Sequence, residues 1–281
     1  MKKVFITGAK GMLGSDLVKI FSESGYRVVA SDIDDLDLTQ TDNVLKRIGK
    51  ESPDLIIHAA AYTNVDKAET EKKVCFNINE NGTINVAQAS KENKSELILI
   101  STDYVFDGSK GKPYNEDDQP NPQGMYGKSK LAAEKAVMLI SPKYKICRTS
   151  WLFGENGKNF VETIYKLVSE KDELKVVNDQ FGSPTYTKDL AKQLILIAQK
   201  GESGIYHATN SGYCSWFDFA QEIVRIIGLK INLLPQTTAQ SGRLAPRPKF
   251  SVLENKHLKE MGIHIMPDWK DALSRYMKKF C

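Results

Sequence analysis

The chain has 281 residues, 41% of them hydrophobic and 26% charged, with a net charge of +4 spread along its length. That is enough chain for a substantial core, as one large domain or a nucleotide domain plus a smaller lobe, and it excludes disordered and fibrous classes. The charge is too weak and diffuse for a nucleic-acid partner, and no stretch approaches the ~18 apolar residues of a membrane span. At the N-terminus only Val4-Phe5-Ile6 is continuously apolar, so Val4–Thr7 reads as a first strand and not as a secretion signal. A Gly-rich turn follows, then a helix over about 13–24. Residues 26–31 (YRVVAS) form a second strand and 40–50 a helix stopped before Pro53. The run LIIHAA (55–60) is apolar throughout, as in a strand buried on both faces. One long helix is predicted over 74–92, a buried strand at LILIS (97–101), a helix over 125–141 and a strand at YKICR (144–148).

Strands alternating with helices imply β-α-β crossovers and a parallel sheet covered on both faces, a Rossmann-type doubly wound α/β fold. The division expected is a dinucleotide-binding domain over 1–150, taking in some later segments, and a mainly substrate-binding lobe over 151–281. In that second part helices are predicted near 159–170, 187–199, 216–227 and 268–279, with short strands near Val176 and Ile205; Ser215 is placed to cap the third helix. The four cysteines (75, 147, 214 and 281) are far apart, without a C-x-x-C pair, as in reduced packing thiols of a cytoplasmic protein.

Two motifs carry chemistry. TGAKGMLG puts Gly8, Gly11 and Gly14 at the first strand–helix turn, with Met12 and Leu13 opening the helix. The first glycine permits the sharp turn, the second lets a pyrophosphate approach the backbone, and the third permits close helix–strand packing. Asp32, just past the second strand, can hold adenosine ribose hydroxyls and would repel a 2′-phosphate, which favours NADH. Lys10 could instead attract that phosphate, and Asp34, Asp35 and Asp37 crowd the same loop, so NADPH stays open.

In the second motif, Tyr126 and Lys130 stand four apart at the start of a helix and share one face. A carbonyl reductase needs a proton on oxygen as well as a hydride on carbon. An ammonium beside a tyrosine is expected to draw the phenol toward the working range. Taken alone, such a pair is common surface decoration; here it follows a dinucleotide loop and a strand ending in Ser101 and Thr102, whose hydroxyls lie where open α/β sheets bind ligands. His58 ends a buried strand and is expected to satisfy a backbone group, with no catalytic role.

These residues resemble the extended short-chain dehydrogenase/reductases, and most of all the dTDP-4-dehydrorhamnose reductase family. The resemblance runs through TGAKGMLG, HAAAYTNVDKAE, STDYVFDG, YGKSKLAAE, RTSWLFG, DQFGSPTYT and RPKFSVL, in that order. It implies Thr102, Tyr126 and Lys130 as the catalytic set, reducing the 4-keto group of a nucleotide-sugar, dTDP-4-dehydro-β-L-rhamnose to dTDP-L-rhamnose. It places Ala60, Ala61 and Tyr62 against the cofactor, with Asn79 supporting the site. It places Asp103, Tyr104, Trp151 and Arg247 toward the sugar nucleotide, Arg247 as a diphosphate ligand and Arg243 as a weaker version of it. Some members of the family are homodimers with a metal held by acidic residues at the interface. Asp16 and Asp189 fall near such positions, but two isolated carboxylates are poor evidence for an ion and no metal is expected.

Two rivals remain at this stage. An epimerase or dehydratase on the same fold would want a further acid–base pair beside the tyrosine, and Thr102 is followed by Asp103-Tyr104, not Asp-Glu. A non-catalytic regulatory subunit would have no need for Thr102, Tyr126 and Lys130 together.

Overall fold

The computed structural model describes residues 1–280; Cys281 lies outside them. Its centre is a six-stranded parallel sheet. Five strands come from the first half: β1 (Lys3–Thr7), β2 (Arg27–Ser31), β3 (Leu55–His58), β4 (Glu96–Thr102) and β5 (Tyr144–Thr149). The sixth, Gly204–His207, pairs with β5, giving the order Gly204–His207, β5, β4, β3, β1, β2. The chain therefore returns to the sheet after residue 150.

Side chains alternating along each strand load both faces. Val4 and Ile6 of β1 point toward Leu17 and Phe21 of α1 (Met12–Glu23) and toward Leu190 and Leu194 of a later helix, Thr187–Lys200. Phe5 points the other way and joins Val44 and Ile48 of α2 (Thr41–Glu51) with Val86, Ala133 and Val137. A separate core, built on Phe153, Ile164, Phe219, Ile223, Trp269 and Tyr276, holds the lobe formed by Phe160–Glu170, Trp216–Ile227 and Trp269–Met277. A parallel pair, Glu173–Val177 with Asn232–Gln236, completes it. Ser215 caps the Trp216–Ile227 helix as expected, within a capping box closed by Asp218.

The expected single helix over 74–92 is instead three pieces. After a short helix α3 (Val65–Ala68), α4 (Lys72–Phe76) runs into a π-turn at Asn77–Asn81, and α5 (Gly82–Glu92) continues from it. The widened turn brings Asn79 into the interior. Such π-turns recur where a helix must aim one side chain off its regular period, and apolar periodicity carries no trace of them. The helix α6 (Met125–Ile140) starts at the predicted residue. No helix among the described residues is long and apolar enough to cross a membrane.

Candidate functional site

A cleft of about 950 Å³ runs along the carboxyl edge of the sheet. At one end lies the glycine loop. Gly8 sits at φ +67°, and a Cβ there would meet the Ala60 nitrogen at 2.7 Å. A Cβ on Gly14 would lie 1.9 Å from the Gly8 carbonyl oxygen. Gly11 is the N-cap of α1 and has no side chain to occupy the helix's first N–H groups, leaving them to an anion. Gly8, Gly11, Met12, Leu13, Gly14, Asp32, Ala60 and Ala61 all line the cleft, as a dinucleotide would require. Asp32 also accepts the Lys10 backbone N–H at 2.7 Å, which ties the second strand's end to the glycine loop. The Lys10 ammonium is paired with Asp34 on the exposed rim.

Two residues expected near the cofactor do not line the cleft. Asn79 is buried behind it. Its Oδ1 accepts the Tyr62 N–H at 2.7 Å, while its Nδ2 donates to the Tyr62 carbonyl and to Ser129 Oγ. It thus braces the Ala60–Tyr62 segment against α6 from a buried position. The Tyr62 hydroxyl turns outward and donates to Glu71 at 2.5 Å, a bond that raises its pKa to about 12.

At the other end, Tyr126 and Lys130 of α6 face Thr102 across the cleft. The strand end positions Thr102: its Oγ1 donates to Asp103 Oδ1 at 3.0 Å and accepts the Tyr104 N–H. Gly127 lets α6 come close, since a Cβ there would strike the Tyr104 carbonyl oxygen at 2.2 Å. The Tyr104 ring meets Tyr126 edge-on, with centroids 5.7 Å apart. One expectation about the chemistry reverses here. Burial pushes the Tyr126 phenol above its ordinary range; Thr102 pulls it down, whereas Asp103, Tyr104 and Cys75 push it further up. Desolvation outweighs the pull of the Thr102 hydroxyl, so the phenol stays protonated. Burial also brings the Lys130 pKa down to about 8, against the opposing pull of Glu134.

Asp103 is buried with its second oxygen accepting the Ser251 hydroxyl at 2.5 Å. Burial raises its carboxyl from 3.8 to about 6. The folded state thus binds the proton more tightly than the unfolded chain, and Asp103 costs stability as pH rises through that interval. Asp103→Asn is therefore expected to gain on the wild type by up to about 3 kcal/mol between pH 4 and pH 7. Melting curves at the two pH values check this; a constant difference in Tm would contradict it.

Trp151 lines the cleft from a left-handed backbone, φ +47°, and stacks on Trp216 with centroids 3.5 Å apart. Gly182 lies under its ring, where a Cβ would come within 2.4 Å. Arg247 does not line the cleft. Both of its terminal nitrogens donate to Asp66 of α3, at 3.0 and 2.9 Å, and Arg243 makes a longer contact with the same carboxylate. The Asp66 carboxyl is held down to about 2, chiefly by Arg247. His58 is held by two hydroxyls, Thr7 on Nδ1 and Thr83 on Nε2, and not by a backbone group; burial and the Lys130 charge lower its pKa to about 3. Asp16 accepts the Thr187 hydroxyl, and Asp189 is paired with Arg275 and Asn210.

The cleft also takes in residues that sequence reasoning passed over. Thr149 and Ser150 lie at the end of β5, at the same carboxyl edge of the sheet as Thr102. Asn156 and Gly157 reach back from the lobe: Asn156 donates to Ser15 Oγ at 3.1 Å, and a Cβ on Gly157 would touch Met12. No local signal marks that long-range contact.

The RmlD substrate binding domain family matches residues 1–281. The chain belongs to this family. It is 41% identical to the spore coat polysaccharide biosynthesis protein SpsK of Bacillus subtilis, over 99% of this chain and 98% of that one. It is 42% identical to a dTDP-4-dehydrorhamnose reductase of Aggregatibacter actinomycetemcomitans, with 97% of each chain covered. A crystal structure of dTDP-4-dehydrorhamnose reductase from Bacillus anthracis in complex with NADP superposes with a TM-score of 0.96 at 41% identity, covering 99% of each chain. The chain is thus an NAD(P)-dependent oxidoreductase of the dTDP-4-dehydrorhamnose reductase type.

Proposed function

We propose that this chain reduces dTDP-4-dehydro-β-L-rhamnose to dTDP-L-rhamnose, with Thr102, Tyr126 and Lys130 as the catalytic residues. The observation that carries the reading is that these three side chains share one end of a cleft whose other end is the glycine loop. Gly11 leaves room for a pyrophosphate, Gly8 and Gly14 hold the turn and α1 close to the sheet, and α1 offers the phosphates unpaired N–H groups. Asp32 takes the adenosine ribose, and Met12, Leu13, Ala60 and Ala61 line the path between. Bound reduced nicotinamide would supply the hydride. The protein's part is to hold the 4-keto oxygen between Thr102 and Tyr126, to stabilise the growing negative charge by hydrogen bonds, and to deliver the Tyr126 proton to it. Lys130 contributes its charge beside the nicotinamide ribose. Asn79 and Tyr62 keep the cofactor wall in place.

Trp151, Asp103 and Tyr104 line the cleft where the sugar nucleotide would lie, the tryptophan ring held in place by Trp216. Arg247 becomes a diphosphate ligand once its guanidinium trades Asp66 for phosphate oxygens. The name of the SpsK relative leaves its sugar open, so the rhamnose assignment leans on the reductase relatives. NADH is the preferred cofactor in this reading, because Asp32 and its acidic neighbours disfavour a 2′-phosphate and Asp34 already occupies Lys10. A cytoplasmic site of action follows from the same cofactor supply and from the buried free thiols of Cys75, Cys147 and Cys214.

Absorbance at the reduced-nicotinamide band tests both parts, with purified protein, dTDP-4-dehydro-β-L-rhamnose and either NADH or NADPH. Rapid oxidation with the higher kcat/KM for NADH is expected. A higher value for NADPH would overturn the cofactor preference alone. No oxidation in protein that still binds cofactor would overturn the substrate and leave the regulatory subunit standing.

A further inference from the structure

Glu134 stands four residues beyond Lys130 and eight beyond Tyr126, on the same face of α6, and it is fully buried. It meets Arg148 of β5, itself 1% exposed, in a two-pronged ion pair: Nε to Oε1 at 2.9 Å and Nη2 to Oε2 at 2.7 Å. The same Oε1 accepts the hydroxyl of Ser101 at 2.6 Å. Ser101 is the direct sheet neighbour of Arg148 and immediately precedes Thr102. On its far side Arg148 lies over the Phe106 ring, 5.2 Å from the centroid, and approaches Nε2 of His207. His207 stays neutral, its pKa lowered well below the usual value by burial and by the Arg148 charge.

A buried ion pair is weak evidence for stability, because desolvation offsets most of the attraction. A structural explanation for this one therefore asks why two charges sit behind a catalytic helix at all. We propose that Glu134 is a positioning residue for the reaction: it holds Lys130 as an ammonium and locks the Thr102 strand end to α6, while Arg148 limits how strongly the carboxylate acts. The inference rests on the proposed roles of Thr102 and Lys130 but concerns a pair outside them.

Lys130 needs such help. Burial lowers its pKa, and Glu134 is the foremost opposing influence. The other groups facing it are Cys75 of α4, His58 of β3, Tyr126 on its own helix, and Thr102, Asp103 and Tyr104 at the end of β4. The Cys75 and Tyr126 pKa values are raised and that of His58 is lowered, so all three are neutral at working pH. Asp103 already serves Ser251 and Thr102. Glu134 is the carboxylate that shares the helical face of Lys130, one turn away.

The two partners of the pair carry opposite charges, and this gives a test that packing alone cannot mimic. In protein labelled with 13C-lysine and free of cofactor, the Cε resonance of Lys130, assigned through Lys130→Met, is titrated against pH. Glu134→Gln is expected to move the midpoint down by about one pH unit, since the carboxylate one helical turn away is lost and the Arg148 charge is left unbalanced. Arg148→Met is expected to move it up by a similar amount, and the double variant to return near the wild-type value. Arg148→Lys keeps the charge and leaves the midpoint in place. The basic limb of kcat/KM should follow the same shifts. Shifts of one sign in both single variants, or an unmoved midpoint in either, would overturn the proposal. If one single variant fails to fold, the other carries the test. If both fail, a double variant displaced by a full unit overturns it. Because the titration needs neither substrate nor turnover, its failure is distinct from failure of the reductase assignment.

Discussion

Tyr126→Phe is expected to lower kcat by about 10²–10⁴-fold, the usual worth of a positioned general acid, while cofactor affinity stays within about twofold. The substitution removes one hydroxyl and nothing else of consequence. The ring remains edge-on to Tyr104, and α6 keeps its close approach at Gly127. What is lost is the donor to the carbonyl oxygen, whose raised pKa keeps it protonated across the neutral range. The loss should therefore fall on kcat and kcat/KM together, with little change in KM, as for an interaction made only in the transition state. Steady-state kinetics with a fluorescence titration of NADH checks both halves. A variant retaining a tenth or more of wild-type kcat would mean that another group, Thr102 or a water, delivers the proton.

Gly14→Ala is expected to do nearly as much damage by a different route. The new Cβ would lie 1.9 Å from the Gly8 carbonyl oxygen and 2.7 Å from the Gly8 carbonyl carbon. Both are backbone atoms of the tightest turn in the cofactor site, so no side chain can yield. The first turn of α1 must lift off β1, and the unpaired N–H groups proposed to hold the pyrophosphate move with it. Overpacking of this kind costs about 1–3 kcal/mol, and a loss of that size in the cofactor cradle is a fall of about 5- to 150-fold in NADH affinity. Gly49→Ala is the control. It lies inside α2 with only a side-chain oxygen of Asn93, 4.0 Å away, near its Cβ position. It should hold or gain stability, as alanine does in helices. Equal damage from both substitutions would mean that the fold is merely intolerant of change, and that the Gly14 contact is nothing special.

The parallel sheet was legible because strands buried on both faces read as apolar runs, and because Gly8, Gly11 and Gly14 fall where the first strand meets its helix. Tyr126 and Lys130 could be paired from spacing, since α6 is regular through both. Other features depended on distance and packing. Asn79 faces inward through a π-turn, which an even apolar pattern does not reveal. Arg247 was read as a free phosphate ligand, yet Asp66, far away in sequence, holds it bidentately. Spacing alone points to a Tyr126 phenol lowered by Lys130, because sequence shows charge and hides desolvation. The Gly204–His207 strand was foreseen as a strand, but its place beside β5 follows from the tertiary path.

The central claim is that a reduced nicotinamide and Tyr126 together convert a sugar 4-ketone to an alcohol in this cleft. It is tested most directly by supplying wild-type protein with dTDP-4-dehydro-β-L-rhamnose and NADH deuterated at the transferable position, then locating the deuterium in the sugar by NMR. The account predicts one deuterium at C4 of dTDP-L-rhamnose for each NADH consumed, and almost none formed by Tyr126→Phe in the same time. Recovery of unreduced keto-sugar with intact NADH, or reduction that survives in the Phe variant, would contradict it.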